Sequence, residues 1–294
     1  MTQHFRDLLS QRQEAVNSLL CVGLDPLMEN LPNMIARKFP DDDSFFIWMR
    51  DIVDATAPFV SMFKPQRAHW EKIPGGITVL RKLVQYIRRH HPDIVIFLDC
   101  KRGDIGRTQS CYGYAHFILD GVHGMNFNPY MGKDCIEYLF DQEHPERSLV
   151  SLAYTSNPSA RQTQDVLLAD GRPYWEYIVE LTLEWAKEIG AQNVGLVMAA
   201  AYENPKGSGT VYAEHLLRCR KIVGNKFWFL IPGIGTQGGF VEETVKAAFT
   251  GSGSIAVNSS SGIIFASQED DYAEASAQEA KKLRDQMREA GGNC

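Results

Sequence analysis

Residues 97–108 read FLDCKRGDIGRT and set Asp99, Lys101 and Asp104 close together. Two residues apart on an extended chain, Asp99 and Lys101 fall on one side, and Asp104 lies in the loop beyond. Carboxylates interleaved with ammonium groups make a network in which each carboxylate fixes an ammonium and holds it charged. A lysine held in this way can act as a general acid. It can also stabilise negative charge that develops on carbon. Taken alone, D-x-K-x-x-D also reads as solvated charge at a strand end. Two other apolar runs end in the same kind of residue, one in Asp25 and one in Lys64. It is this recurrence at three strand ends that points to a site.

A second chemical feature is PGIGTQGG, residues 232–239, a glycine-rich loop followed by a helical pattern. Backbone N–H groups near a helix start suit a phosphate. Glycines serve a flexible turn equally well.

These residues need elements to position them. Apolar runs recur along the chain: SLLCVGL (18–24), FVSMF (59–63), DIVIFLD (93–99), GMNFN (124–128), SLVSLAY (148–154), NVGLVMAA (193–200), KFWFLIPG (226–233) and SIAVN (254–258). Several are nearly continuous, the pattern of strands covered on both faces in a parallel sheet. Helical periodicity marks the segments between them, including 76–92, which stops at Pro92, and 174–190, which ends on Gly190. Strands alternating with helices predict a (β/α)8 TIM barrel with N-terminal and C-terminal flanking helices. A doubly wound sheet would want G-x-G-x-x-G after its first strand, and that strand is followed here by GLDPLMENLP. The expected organisation is one domain over 1–294, with a strand core at about 18–266 and a C-terminal helix at about 271–290. In such a barrel the reactive groups gather at the C-terminal strand ends, and the loops after strands seven and eight grip phosphate.

Composition narrows the function. Lys and Arg total 30 against 36 Asp and Glu, a net charge of −6 that argues against a nucleic-acid backbone binder. The six cysteines form no C-x-x-C pair and have no neighbouring His cluster, so neither a zinc site nor a disulfide framework is expected. His116 and His123 lack metal-like spacing, and the five tryptophans read as core anchors. No signal-peptide pattern or membrane-length apolar run is present, so the expectation is a cytoplasmic protein with no membrane partner.

FLDCKRGDIGRT resembles the D-x-K-x-x-D-I signature of the orotidine 5′-phosphate decarboxylase family, in the K-R-G-D-I-G form of its longer branch. LCVGLDP (20–26), FKPQ (63–66), TSNP (155–158) and PGIGTQGG (232–239) resemble further family segments, in family order. The resemblance implies a barrel that works as a homodimer. It implies decarboxylation of orotidine 5′-monophosphate to uridine 5′-monophosphate in pyrimidine synthesis, with no metal or organic cofactor. Lys101 would protonate C6, Asp99 would face the departing carboxylate, and Lys64 would complete the charge network. Asp104, with Thr108 near it, would reach across the dimer. Asp25 and Lys64 would contact the ribose hydroxyls, and Ser156 the pyrimidine amide. Gln237, the backbone at Ile234 and Gly235, and the Ser260–Ser261 loop would lie on the phosphate side.

One departure stands out. The family places arginine in N-S-S-R-G-I, and this chain has Ser261 there. A weakened phosphate grip is therefore expected, unless another base such as Arg161 has taken over. Two alternatives accompany the reading: a barrel lyase or aldolase acting on a sugar phosphate, and a catalytically weakened nucleotide-phosphate-binding barrel. Longer-branch members also occur fused to orotate phosphoribosyltransferase, and the ending REAGGNC would suit a linker.

Overall fold

The computed structural model describes residues 4–38, 43–234 and 239–294. Eight parallel strands close into a barrel. They are β1 (Leu20–Gly23), β2 (Met62–Lys64), β3 (Val95–Arg102) and β4 (Gly124–Phe127). The circuit continues with β5 (Ser148–Tyr154), β6 (Val194–Met198), β7 (Trp228–Ile231) and β8 (Ile255–Ser259). β8 pairs back onto β1, with Cys21 opposite Asn258. Each strand falls on one of the eight apolar runs, because a barrel strand is covered by side chains inside and by helices outside.

The alternation of side chains divides the core in two. Residues pointing outward, such as Leu20, Val22, Ile96 and Leu98, pack against the surrounding helices. Residues pointing inward, including Cys21, Met62, Phe97, Val150, Trp228 and Ala256, form a separate interior cluster. The N-terminal helix Phe5–Val16 closes the floor of that interior with Phe5 and Leu9. Phe5 stacks on Trp228 at 5.0 Å and meets Phe97 edge-on at 6.3 Å. Two glycines make room for this plug. A Cβ at Gly124 would lie 2.9 Å from the Phe97 ring, and one at Gly195 would lie 2.7 Å from Trp228 Nε1.

With the floor sealed by aromatics, the barrel opens at its C-terminal end. Two residues above Met62 stands Lys64, and two above Phe97 stands Asp99. The period of two therefore carries charged groups to the mouth of an otherwise apolar interior. The C-terminal helix Tyr272–Glu289 packs on the outside, where its Tyr272, Ala280 and Met287 are buried. Buried Arg220 donates to the carbonyls of Phe227, Ala248 and Ser254, tying together the starts of β7 and β8.

Two features were not legible in the apolar pattern. The segment after β3 is a helix, Gly106–Gly113, that widens into π-helical turns over Tyr114–Asp120. After β6 the chain forms a short antiparallel ribbon, Tyr202–Glu203 against Val211–Tyr212.

Candidate active site

The exit of β3 is irregular. Its register against β4 shifts between Leu98 and Arg102. Lys101 sits there with φ of 48°, a left-handed conformation that costs free energy in a residue with a side chain. The Asn126 side chain on β4 spans the irregularity. Its Oδ1 accepts from the N–H groups of Cys100 at 2.8 Å and Lys101 at 2.7 Å, and its Nδ2 donates to Asp99 Oδ1 at 2.7 Å.

Asp99 then gathers two ammonium groups. Lys101 Nζ donates to its Oδ1 at 2.6 Å, and Lys64 Nζ to its Oδ2 at 3.3 Å. Burial alone would raise the pKa of Asp99, but Lys64 and Lys101 outweigh it and hold the carboxyl far below its ordinary range. Burial alone would lower Lys64, but Asp25 and Asp99 outweigh it and hold the ammonium above its ordinary value. The two lysines differ in access. The Lys64 side chain is 4% exposed and that of Lys101 is 48% exposed, so Lys64 is the fixed charge and Lys101 the one that reaches outward.

Beneath this exit, Arg102 Nε donates to His116 Nε2 at 3.1 Å, while His116 Nδ1 donates to Asp120 at 2.8 Å. Asp120 is fully buried and also takes Arg67 and Arg81. His116 is thus a neutral link between an arginine and a carboxylate, its pKa lowered by burial against the opposing pull of Asp120. Among the described residues, no three His, Cys, Asp or Glu side chains are placed to hold a metal ion.

Asp25 closes the other side. Its Oδ1 accepts the Gln66 N–H at 2.9 Å. A Cβ at the adjacent Gly23 would lie 1.8 Å from Ser260 Oγ and 2.9 Å from Asp25 Oδ2, so only glycine lets these two groups converge. A cavity of about 1000 Å³ opens over the site. Of the site residues expected from sequence, Asp25, Lys64, Asp99, Lys101, Ser156 and Ser260 line it. Asp104, Thr108, Ile234 and Ser261 do not line it. Asp104 accepts the Ile105 N–H, and Thr108 is exposed on the following helix. Ile234 is buried in the core, and Ser261 opens the short helix after β8. Gly235 and Gln237 lie outside the described residues.

Sequence reasoning missed Asn126. It falls within the apolar run GMNFN, where a polar residue at an inward strand position is the available signal. A smaller neighbouring cavity of about 550 Å³ shares Thr155, Ser156 and Asn157 with the main one and is lined also by Arg161 and Lys206.

A closed parallel barrel with an ion-pair array at its C-terminal strand ends is the architecture of a TIM-barrel enzyme. The model of the orotidine 5′-phosphate decarboxylase / HUMPS family matches residues 18–277. The chain belongs to that family. It is 36% identical over 283 residues to the orotidine 5′-phosphate decarboxylase of Bordetella pertussis, covering 96% of this chain and 97% of that one. A crystal structure from Toxoplasma gondii superposes with a TM-score of 0.82 at 28% identity, over 98% of this chain and 96% of the other. The UMP synthase structure of Leishmania donovani gives a TM-score of 0.77 at 28% identity, over 98% of this chain but 57% of that longer one. No helix among the described residues is long and apolar enough to cross a membrane.

Proposed function

We propose that the protein decarboxylates orotidine 5′-monophosphate to uridine 5′-monophosphate and carbon dioxide, without a cofactor, using Lys101 as the proton donor. The observation that carries this reading is the Lys64–Asp99–Lys101 array, with its outermost ammonium half-exposed to the cavity. As the bond from C6 to the carboxylate breaks, its electron pair stays on C6. The Lys101 ammonium stabilises that charge and transfers a proton to it, and the neutral amine then regains a proton from water. Asp99 faces the substrate carboxylate, and the repulsion between them is relieved as carbon dioxide departs. Asp25 and Lys64 hold the ribose hydroxyls and Ser156 the pyrimidine amide. Ser260, Ser261, Gln237 and the backbone at Ile234 and Gly235 take the phosphate side, where remote binding contributes to catalysis at the ring.

The working unit in this reading is a homodimer in which Asp104 and Thr108 enter the partner's cavity. Their position off the lining of their own cavity supports this. So do the exposed apolar side chains of Ile105 in that loop and of Met131 in the neighbouring loop after β4, which the Asn128 N–H ties to the Arg102 carbonyl at 2.7 Å. We place the enzyme in the cytoplasm, in keeping with its six unpaired thiols. The sugar-phosphate lyase alternative is disfavoured at Lys64. A Schiff base needs a neutral amine, and Asp25 and Asp99 hold this one charged.

The test follows the loss of orotidine monophosphate absorbance with purified protein, after exhaustive chelation and in the presence of borohydride. Turnover should survive both treatments. A stoichiometric metal whose removal stops the reaction, or trapping by borohydride, moves the protein to the sugar-phosphate class. For the shared site, mixing inactive Lys101→Ala with inactive Asp104→Ala should restore activity, because one site of each hybrid dimer carries neither lesion. Subunits that exchange without recovery would refute it.

A further inference from the structure

We propose that Asn126 is the positioning residue of the site: its carboxamide fixes the β3 exit so that the Lys101 ammonium and the Asp99 carboxylate meet in one orientation. The proposal rests on the decarboxylase reading and adds a residue to its machinery. Asn126 is 1% exposed and does not itself supply a charge. Its Oδ1 receives two successive backbone N–H groups, those of Cys100 and Lys101. Successive N–H groups converging on one acceptor form a nest, and here the left-handed turn at Lys101 builds it. On the opposite edge of the same planar amide, Nδ2 donates to Asp99 Oδ1, the oxygen that also takes Lys101 Nζ. One side chain therefore sets the backbone of the lysine and the rotamer of its carboxylate together.

The chemistry selects asparagine. An apolar residue of similar size would leave two partly buried N–H groups without their acceptor and release the turn. An aspartate would keep the acceptor but turn a donor into a second carboxylate against Asp99, 2.7 Å away. The orientation of the amide is fixed, because the nest needs an oxygen and the Asp99 carboxylate needs a donor.

Asn126→Asp separates positioning from mere support of the fold. At pH 8 its two neighbouring carboxylates repel, and kcat should fall at least about a hundredfold while KM moves less than about threefold. As the pH falls towards 5, the pair should take up one shared proton. An O–H then replaces the lost N–H donor, and kcat should climb while that of the parent protein does not. Asn126→Ala, which loses all three hydrogen bonds, should be slow at every pH with no such climb. Parent turnover in the same assay establishes the decarboxylase reading separately. With an active parent, an Asn126→Asp enzyme within threefold of it at pH 8 overturns the proposal. So does a variant whose deficit is the same at pH 8 and pH 5. Should Asn126→Ala fail to fold, the profile of Asn126→Asp decides alone.

Discussion

The mouth of the barrel has two unlike halves. At the exits of β1, β2 and β3 stand Asp25, Lys64, Asp99 and Lys101, alternating in sign and tied to one another directly or through the backbone. At the exits of β7 and β8 the described residues that line the main cavity are Pro232, Asn258 and Ser260, and none of them is ionisable. The charged half can hold an ammonium against a carboxylate at a fixed distance, so it suits bond breaking at the ring. The neutral half offers hydroxyls, amides and backbone, so it can mark where a phosphate lies without adding a counter-charge. In the proposed reaction, chemistry and grip would be segregated to opposite sides of one cavity, and perturbing each side should have a different kinetic signature.

The largest effect should come from the charged half. Lys101→Ala removes the proposed proton donor and should lower kcat by about a thousandfold or more with the fold intact. Retention of more than about a tenth of the normal rate would remove Lys101 from that role, since a general acid contributes far more than this. Lys64→Ala should also be severe, for a different reason. It strips a buried counter-charge from Asp99, whose carboxyl is held down first by Lys64 and then by Lys101. Its loss should therefore appear in stability as well as in rate.

The sequence showed the charged half far better than the neutral one. Asp99 and Lys101 stand two residues apart, so their nearness was plain in the sequence, although the left-handed turn at Lys101 and not an extended period of two brings them together. Lys64 and Asp25 could be placed because each ends an apolar run. The barrel itself was legible for the same reason: eight buried parallel strands leave eight dense apolar runs. Asn126 was not found, because its role depends on register between β3 and β4 and on a left-handed turn at Lys101, neither of which is written in residue spacing. Nor did periodicity show the ribbon at Tyr202–Glu203, whose two-residue strands are too short to show any period. The neutral half was legible only as a glycine loop, and Gly235 and Gln237 of that loop lie outside the described residues.

A middle-sized effect tests the neutral half directly. A charged hydrogen bond to phosphate contributes roughly 1.5–3 kcal/mol, or about ten- to a hundredfold. Ser261→Arg should lower KM for orotidine monophosphate by about that factor with kcat unchanged, the mark of an interaction felt equally by ground and transition states. The competing account gives the phosphate to Arg161. That side chain lies over the Tyr202 ring at 4.7 Å and donates to Asn204 Oδ1, in the smaller cavity next door. On that account Ser261→Arg is neutral or harmful and Arg161→Ala raises KM. Measuring both single variants decides which side of the mouth supplies the cation.

The smallest effect separates the halves through stability rather than rate. Each rests on a buried histidine. His116 supports the charged half through Arg102, and there Asp120 opposes the effect of burial. His215 supports the neutral half at one remove: its Nε2 donates to the Ala199 carbonyl just beyond β6, and the N–H of the next residue, Ala200, donates to the carbonyl of Pro232. Its ring lies among Tyr154, Tyr202 and Tyr212, and among the described residues its buried Nδ1 meets no hydrogen-bond partner. Burial pushes this imidazole down to about 4, with the hydrogen bond to Ala199 opposing the shift and the Arg161 charge adding to it. The unfolded chain takes up that proton near pH 6.5 and the folded one does not, so stability falls as the pH drops from about 6.5 to about 4. At pH 5 the loss from His215 alone should be about 2 kcal/mol relative to pH 7 or above. His123, also held down to about 4 by burial, adds a fall in the same direction. His215→Gln keeps a donor for Ala199 and cannot titrate. Denaturant unfolding at pH 7 and pH 5 should therefore show a smaller acid loss in this variant, by about the same 2 kcal/mol. His116→Gln should change the acid slope less, because the Asp120 carboxylate partly compensates a proton on His116. Equal acid slopes in the parent and His215→Gln would mean that the neutral half tolerates the charge, and that its support lies in the tyrosine packing rather than in the imidazole.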